Sequence, residues 1–199
     1  MRLGSLRLVI VALAFSGTLA ACTSPPPPPA FPDIRFTGET PIRLAVSTIR
    51  IQSDFRPTFQ APHVEHLFPV TPAHAMENWV HDRLVAAGGS NAYARFVIKD
   101  ASVVEVELKK KSEGITAAFT TEPAQRYDAT IAATLQIIDE GGFPVRSIDV
   151  KATRSQSVLE GITPNQRDQT WYDMTKALMA DFDKQMSAEI SAHLGGYFQ

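Results

Sequence analysis

The chain has 199 residues, of which 44% are hydrophobic, 20% charged and 9% aromatic. That length holds one domain or two small ones, and that composition excludes a wholly disordered, collagen-like or disulfide-scaffold protein. The formal net charge is −2, from 19 basic and 21 acidic residues, so no basic excess points to nucleic acid. A single cysteine, Cys22, rules out an intrachain disulfide, and of the 14 prolines a run stands together from Pro25 to Pro29.

Residues 1–22 read MRLGSLRLVIVALAFSGTLAAC. Arg2 and Arg7 make a positive start, Leu8 to Phe15 is apolar, and small residues lead to Cys22. This is the layout of a secretory signal, and its apolar part falls short of the roughly 20 residues a membrane-spanning helix needs. Leu19-Ala20-Ala21-Cys22 resembles a bacterial lipobox. The resemblance implies that the Cys22 thiol receives a diacylglycerol, that the signal is cut before it, and that the new amine is acylated. The other reading is an ordinary signal-peptidase site ending in Ala-x-Ala, with a spare cysteine. Each buried methylene contributes about 0.8 kcal/mol, so one acyl chain anchors reversibly and several on one cysteine anchor stably. Cleavage would take two of the 19 basic residues, Arg2 and Arg7, leaving 17 against 21 acidic, net −4.

Thr23 to Asp33, TSPPPPPAFPD, reads as a tether. In a polyproline helix, at about 3.1 Å per residue, it would reach about 30 Å. The expected division is a signal peptide at 1–21, a lipidated cysteine and linker at 22–37, and one domain at 38–199. Bacterial lipoproteins with Asp after the cysteine are often kept at the inner membrane. Thr23 occupies that position here, which points to the outer membrane, facing the periplasm.

Ile42, Leu44 and Val46 alternate, and Ile49 and Ile51 resume one residue out of phase, which reads as a strand with a bulge. Gln52 to Val70 holds Pro57, Pro62 and Pro69 and reads as a long irregular connection. Thr71-Pro72 is a helix start, and Met76, Trp79, Val80, Leu84 and Ala87 follow at helical spacing. Gly88-Gly89 ends that helix, predicted over 72–87. Ala94, Phe96, Ile98, Val104, Val106 and Leu108 then share one parity, with an interruption near Asp100 to Ser102. Lys109 to Pro123 reads as a long hairpin connection. Tyr127, Ala129, Ile131, Ala133, Leu135 and Ile137 make a second half-buried strand, and Asp139-Glu140-Gly141-Gly142 a turn. Ile148, Val150 and Ala152 mark a third strand within Val145–Leu159. Thr163-Pro164 opens a closing helix with Trp171, Met174, Leu178, Phe182, Met186, Ile190 and Leu194 on its stripe, ended by Gly195-Gly196. The order β-α-β-β-β-α predicts a two-layer α+β sandwich, with both helices on one face of a four-stranded, mainly antiparallel sheet.

Chemistry is sparse along this chain. His63, His66, His74 and His81 cluster in sequence, but a zinc site needs three or four converging ligands, and they read as surface residues. Gly88-Gly89-Ser90 lacks the Gly-x-Ser-x-Gly pattern and the preceding strand of a nucleophile elbow, and reads as a cap and turn. Asp181 and Asp183 lie two apart on a helix and point in different directions. No phosphate loop or dinucleotide fingerprint occurs, so no cofactor and no enzymatic activity is expected. Lys109, Lys110 and Lys111 would contact lipid phosphates or an acidic partner, or else form a solvated edge that discourages strand pairing. Trp79 and Trp171 read as core anchors, and Gly-Gly-Tyr197-Phe198 as a frayed end. Thr130, Thr134, Gln136, Lys151, Thr153 and Ser155 would share the open, polar sheet face, either as a docking surface or simply solvated.

From Arg126 to Leu194, RYDATIAATLQIIDEGG, the strand SIDVKATRS and the long helix resemble, in order and pattern, the LptE-like lipopolysaccharide-assembly lipoproteins. The order is also similar to auxiliary lipoproteins of ABC-type export systems and to lipoprotein activators of penicillin-binding proteins. These resemblances imply a membrane-anchored, non-enzymatic accessory factor of an envelope transport or lipopolysaccharide-assembly machine, partnered by an outer-membrane barrel or an ABC complex. The alternatives are an activator of a cell-wall synthase and, from another class, an envelope hydrolase.

Overall fold

A computed structural model of the chain describes residues 30–108 and 123–197. In chain order the elements are β1 (Ile42–Leu44), β2 (Ile49–Ser53), a 3-10 turn (Glu65–Leu67), α1 (Pro72–Arg83), β3 (Leu84–Ala86), β4 (Tyr93–Glu107), β5 (Pro123–Ile138), β6 (Pro144–Leu159), α2 (Pro164–His193) and a closing 3-10 turn (Gly195–Tyr197). The main sheet has the order β2-β4-β5-β6. β4, β5 and β6 run antiparallel, and β2 joins β4 in parallel.

Period-two alternation sends Ala94, Phe96 and Ile98, then Ala129, Ile131, Ala133, Leu135 and Ile137, and Ile148, Val150 and Ala152 to one face, where all are buried. Both helices lie on that face. Trp79 of α1 and Phe182 of α2 meet edge-on at 5.4 Å, and Phe182 meets Phe96 of β4 the same way at 6.3 Å. The expected two-layer α+β sandwich is therefore the architecture that forms. The Thr-Pro starts act as expected. Thr71 accepts from the His74 N–H, and Thr163 forms a reciprocal capping box with Gln166. Among the described residues no helix is long and apolar enough to cross a membrane.

Tertiary pairing overrides the sequence pattern in five places. The run from Ile42 to Ile51 is two strands in different sheets. Ala45 N–H donates to the Tyr197 carbonyl at 2.7 Å and Ser47 N–H to that of Ala92 at 2.7 Å, pinning the crossing between them. The first helix stops at Arg83, four residues before the predicted end at 87. Leu84 is extended (φ −103, ψ 128), and Leu84–Ala86 pair in parallel with Ile42–Leu44, which supply the backbone partners a further helical turn would have supplied internally. Gly88 and Gly89, at φ 76 and 87, turn the chain after this short strand.

The third place is a bulge between Ile98 and Asp100 of β4. Beyond it Ala101 and Val103 point into the core, so Val104 and Val106 fall on the opposite face from Ala94, Phe96 and Ile98. The fourth is the Gln52–Val70 connection, which packs as part of the body. Val64, Phe68 and Val70 are buried, and Val64 N–H donates to the Val103 carbonyl at 2.9 Å. The last concerns the two ends. Ile34, upstream of the expected domain start at 38, is buried. Arg35 Nε and Phe36 N–H both donate to Asp82 Oδ2 at 2.8 Å. At the far end Tyr197 packs on the core and accepts from Ala45, so the chain is fixed there, not frayed.

Candidate functional site

Two surfaces outside the core bring polar groups together. The first is the sheet face turned away from the helices. Register places Thr130 between Ser102 and Thr153, Thr134 between Val97 and Asp149, Gln136 between Arg95 and Ser147, and Lys151 beside Ala132. The structure thus brings Thr130, Thr134, Gln136, Lys151, Thr153 and Ser155 onto one face, as their parity predicts. Their environments differ, because β5 is a central strand and β6 an edge strand. Thr134 is buried, Thr130 and Gln136 are half-buried, and Lys151 and Thr153 are exposed.

Side chains knit this face together. Arg95 donates twice to Gln136 Oε1, at 3.0 and 2.7 Å. Thr134 donates to Asp149, and Ser155 to Asp128 Oδ1 at 2.6 Å. Arg126 clamps Asp128, and its hydrogen bonds hold that carboxyl below the usual carboxylate range. β6, from Pro144 to Leu159, is paired only on its β5 side among the described residues, leaving a row of outward backbone groups. Cys22 and Lys109, Lys110 and Lys111 lie outside the described residues.

The second surface is a cavity of about 320 Å³ beneath the proline-rich connection. Phe55, Pro57 and Phe59 wall it from the connection, Ala73 from α1 and Ala101 from β4. Ser53 and Thr71 stand at its edge, and Glu65 and His66 enter from the 3-10 turn. Among the described residues no lysine or arginine lines it. Glu65 is 3% exposed. Its Oε2 accepts from the Val103 N–H at 3.2 Å and lies 3.8 Å from His63 Nδ1. Among the described residues its Oε1 is buried without a hydrogen-bond partner, as are His63 Nδ1 and His66 Nδ1. An incompletely satisfied buried carboxylate costs several kcal/mol. Phe59 stands at the rim, 66% exposed, edge-on to His66 at 5.3 Å. Its φ of 55 is left-handed, a conformation that costs a bulky residue about 1–3 kcal/mol. Sequence reading passed over Glu65 and Phe59. The available signal was a lone acid inside the apolar stretch Val64 to Val70.

The other candidates have structural work. Asp183 Oδ1 accepts from Trp79 Nε1 and from Arg83 Nε, both at 2.7 Å, while Asp181 pairs with Arg154 at 2.7 Å. The two carboxylates diverge, as their spacing predicts. Ser90 donates to the Ala45 carbonyl at 2.6 Å, which fixes the turn after Gly88-Gly89. His74 sits 3.4 Å from Asp33 and 3.9 Å from Glu77, and His81 is exposed. Among the described residues no three of His, Cys, Asp and Glu converge as a metal site. Trp79 and Trp171 are core residues, 0% and 3% exposed, and Trp171 stacks on Phe68 at 4.8 Å.

No family model matches the chain, and no curated protein matches it. Among solved structures it is similar to a minor lipoprotein from Acinetobacter baumannii, at a TM-score of 0.41 and 14% identity over 73% of this chain and 90% of that one. It is also similar to a candidate lipoprotein from Caulobacter crescentus, at a TM-score of 0.33 and 9% identity over 52% of this chain and 68% of that one. Both likenesses are distant.

Proposed function

We propose that this chain is a membrane-tethered envelope lipoprotein that works by docking rather than by catalysis, as an accessory or assembly subunit of an envelope transport or lipopolysaccharide-assembly machine. The observation that carries the reading is Leu19-Ala20-Ala21-Cys22, placed behind a charged and then apolar stretch and before a proline run. Acyl chains on Cys22 anchor the protein, and the sandwich faces the periplasm. The long edge of β6 and the polar face beside it, with Lys151 and Thr153, offer backbone and side-chain groups to a partner strand. The hydroxyl of Ser90 and the carboxylate of Asp183 are engaged in structural bonds, which supports a non-enzymatic role.

Packing of Ile34 and Arg35 onto the body shortens the free tether. As a polyproline helix of about 3.1 Å per residue, Thr23 to Ala30 would reach about 25 Å, a length that would hold the body close to the lipid and that favours a membrane partner over a distant cell-wall synthase. The test has two parts. Cys22→Ser should lose incorporation of labelled palmitate and leave the membrane fraction at high salt, and retention there refutes the anchor. Crosslinking followed by affinity purification should recover an outer-membrane barrel or an ABC complex, and recovery of a penicillin-binding protein alone favours the synthase activator instead.

A further inference from the structure

We propose that the end of the sandwich where the tether joins it rests on the bilayer, with Phe59 and Leu67 set into the lipid surface. The inference rests on the anchor proposed at Cys22 and adds a second membrane contact, made by the folded body. Where the chain enters the body decides which end is near the lipid. Phe31 packs on Tyr172 with ring centres 5.2 Å apart, and Asp33 lies 3.4 Å from His74. Tyr172 belongs to the early part of α2 and His74 to the first turn of α1, so the tether joins at the end where both helices start. Trp171, next to Tyr172, meets Tyr127 near the start of β5 at 5.4 Å and stacks on Phe68 of the proline-rich connection.

Two exposed apolar side chains stand at this end. Phe59 and Leu67, the latter 55% exposed, come from separate stretches of the connection yet flank one ring. Phe59 is edge-on to His66, and Leu67 follows His66 in the 3-10 turn. Leu67 leads directly to Phe68, and Phe59 borders the same cavity as Thr71 and Ala73 at the start of α1. A left-handed backbone turns the Phe59 ring outward, and strain of this kind persists where surrounding structure enforces it. Two side chains would bind a membrane weakly by themselves. On a body already held by acyl chains they meet the lipid at high effective concentration, so they set its orientation. In that orientation β6 runs from Leu159 near the membrane to Pro144 away from it, and its outer edge stays open to a partner strand. Phe143 provides the control. It is 70% exposed, more than either residue, but it lies beyond Ile138 at the other end of β5. The strand from Tyr127 to Ile138 spans about 35 Å.

The test places a nitroxide on Phe59→Cys, Leu67→Cys or Phe143→Cys in the full chain, whose acylated Cys22 has no free thiol to react. In vesicles of phosphatidylethanolamine and phosphatidylglycerol, collision with oxygen against a water-soluble nickel chelate reads the depth of each label. The labels at Phe59 and Leu67 should lie about 5–10 Å into the boundary between headgroups and acyl chains, and the label at Phe143 in water. Leu67 sits in the 3-10 turn, so its label does not depend on the left-handed backbone at Phe59. Adding Phe59→Ser should move the Leu67 label toward water, and adding Phe59→Trp should keep it in place. Labels at Phe59 and Leu67 as accessible to nickel as the one at Phe143, with palmitate still incorporated, overturn the lipid contact and leave the anchor standing. Loss of palmitate incorporation overturns both. Equal depth at all three positions overturns the orientation. Labels in water on pure lipid but shielded in isolated envelope membranes assign the patch to a protein partner and overturn the proposal.

Discussion

Replacing Asp183 by alanine tests the polar tie that joins the two helices. Its carboxylate accepts from the indole N–H of Trp79, whose side chain is fully buried, and from Arg83, whose side chain is 7% exposed. Breaking a buried ion pair from one side costs about 3–5 kcal/mol, because the remaining charge stays buried without its partner. The loss of an acceptor for the indole N–H adds about 1 kcal/mol or more. Two facts reduce the total. Asp183 itself is 18% exposed, and Arg83 keeps its bonds to the Thr40 carbonyl and to Ser187 Oγ at 3.0 Å. A destabilisation of about 3–4 kcal/mol results, a large share of the 5–15 kcal/mol that holds a typical domain. Urea unfolding followed by tryptophan fluorescence should read it as a lowered midpoint at unchanged slope. Asp183→Asn keeps an oxygen acceptor and should lose about half as much. Asp181→Ala, two residues away, breaks an exposed pair with Arg154 and should cost about 0.5 kcal/mol or less. Equal losses at Asp181 and Asp183, or none at Asp183, would refute the assignment of the buried tie.

Three further outcomes are expected. Phe68→Ala removes a buried ring stacked on Trp171 and should cost about 3 kcal/mol by denaturant unfolding, a loss that a merely solvent-exposed connection would not produce. Thr163→Ala removes both halves of the capping box of α2 and should cost about 1 kcal/mol, with Thr163→Ser restoring most of it. The hydrogen bond from Arg35 holds the Asp82 carboxyl below its ordinary range, against the opposing effect of burial. Its contribution is therefore complete above the unfolded carboxylate value of about 3.9 and is lost as pH falls through the lower folded value. Denaturant midpoints of Asp82→Asn and the native chain should differ at neutral pH and draw together as pH falls below the unfolded carboxylate value. A constant difference across that range would count against the Arg35 pairing.

Local chemistry written along the chain fixed the type and order of most elements. Thr71-Pro72 and Thr163-Pro164 start helices because a threonine oxygen and a proline ring suit the first helical turn whatever surrounds them. The alternation from Tyr127 to Ile137 places a strand and its buried face, since side chains on an unbulged strand alternate between faces. The diverging roles of Asp181 and Asp183 likewise follow from helical geometry alone. Several features became determined only when distant segments met. Leu84 to Ala86 leave the helix because Ile42 to Leu44 offer them backbone bonds, and nothing within the helical pattern records that offer. The bulge at Ile98/Asp100 reverses the facing of Val104 and Val106, and a parity count cannot detect one extra residue. The cavity with Glu65 depends on the same kind of meeting. A proline-rich connection, the first turn of α1 and the bulged part of β4 come from three separate stretches, and only their packing turns a glutamate between valine and histidine into a buried, half-satisfied carboxylate.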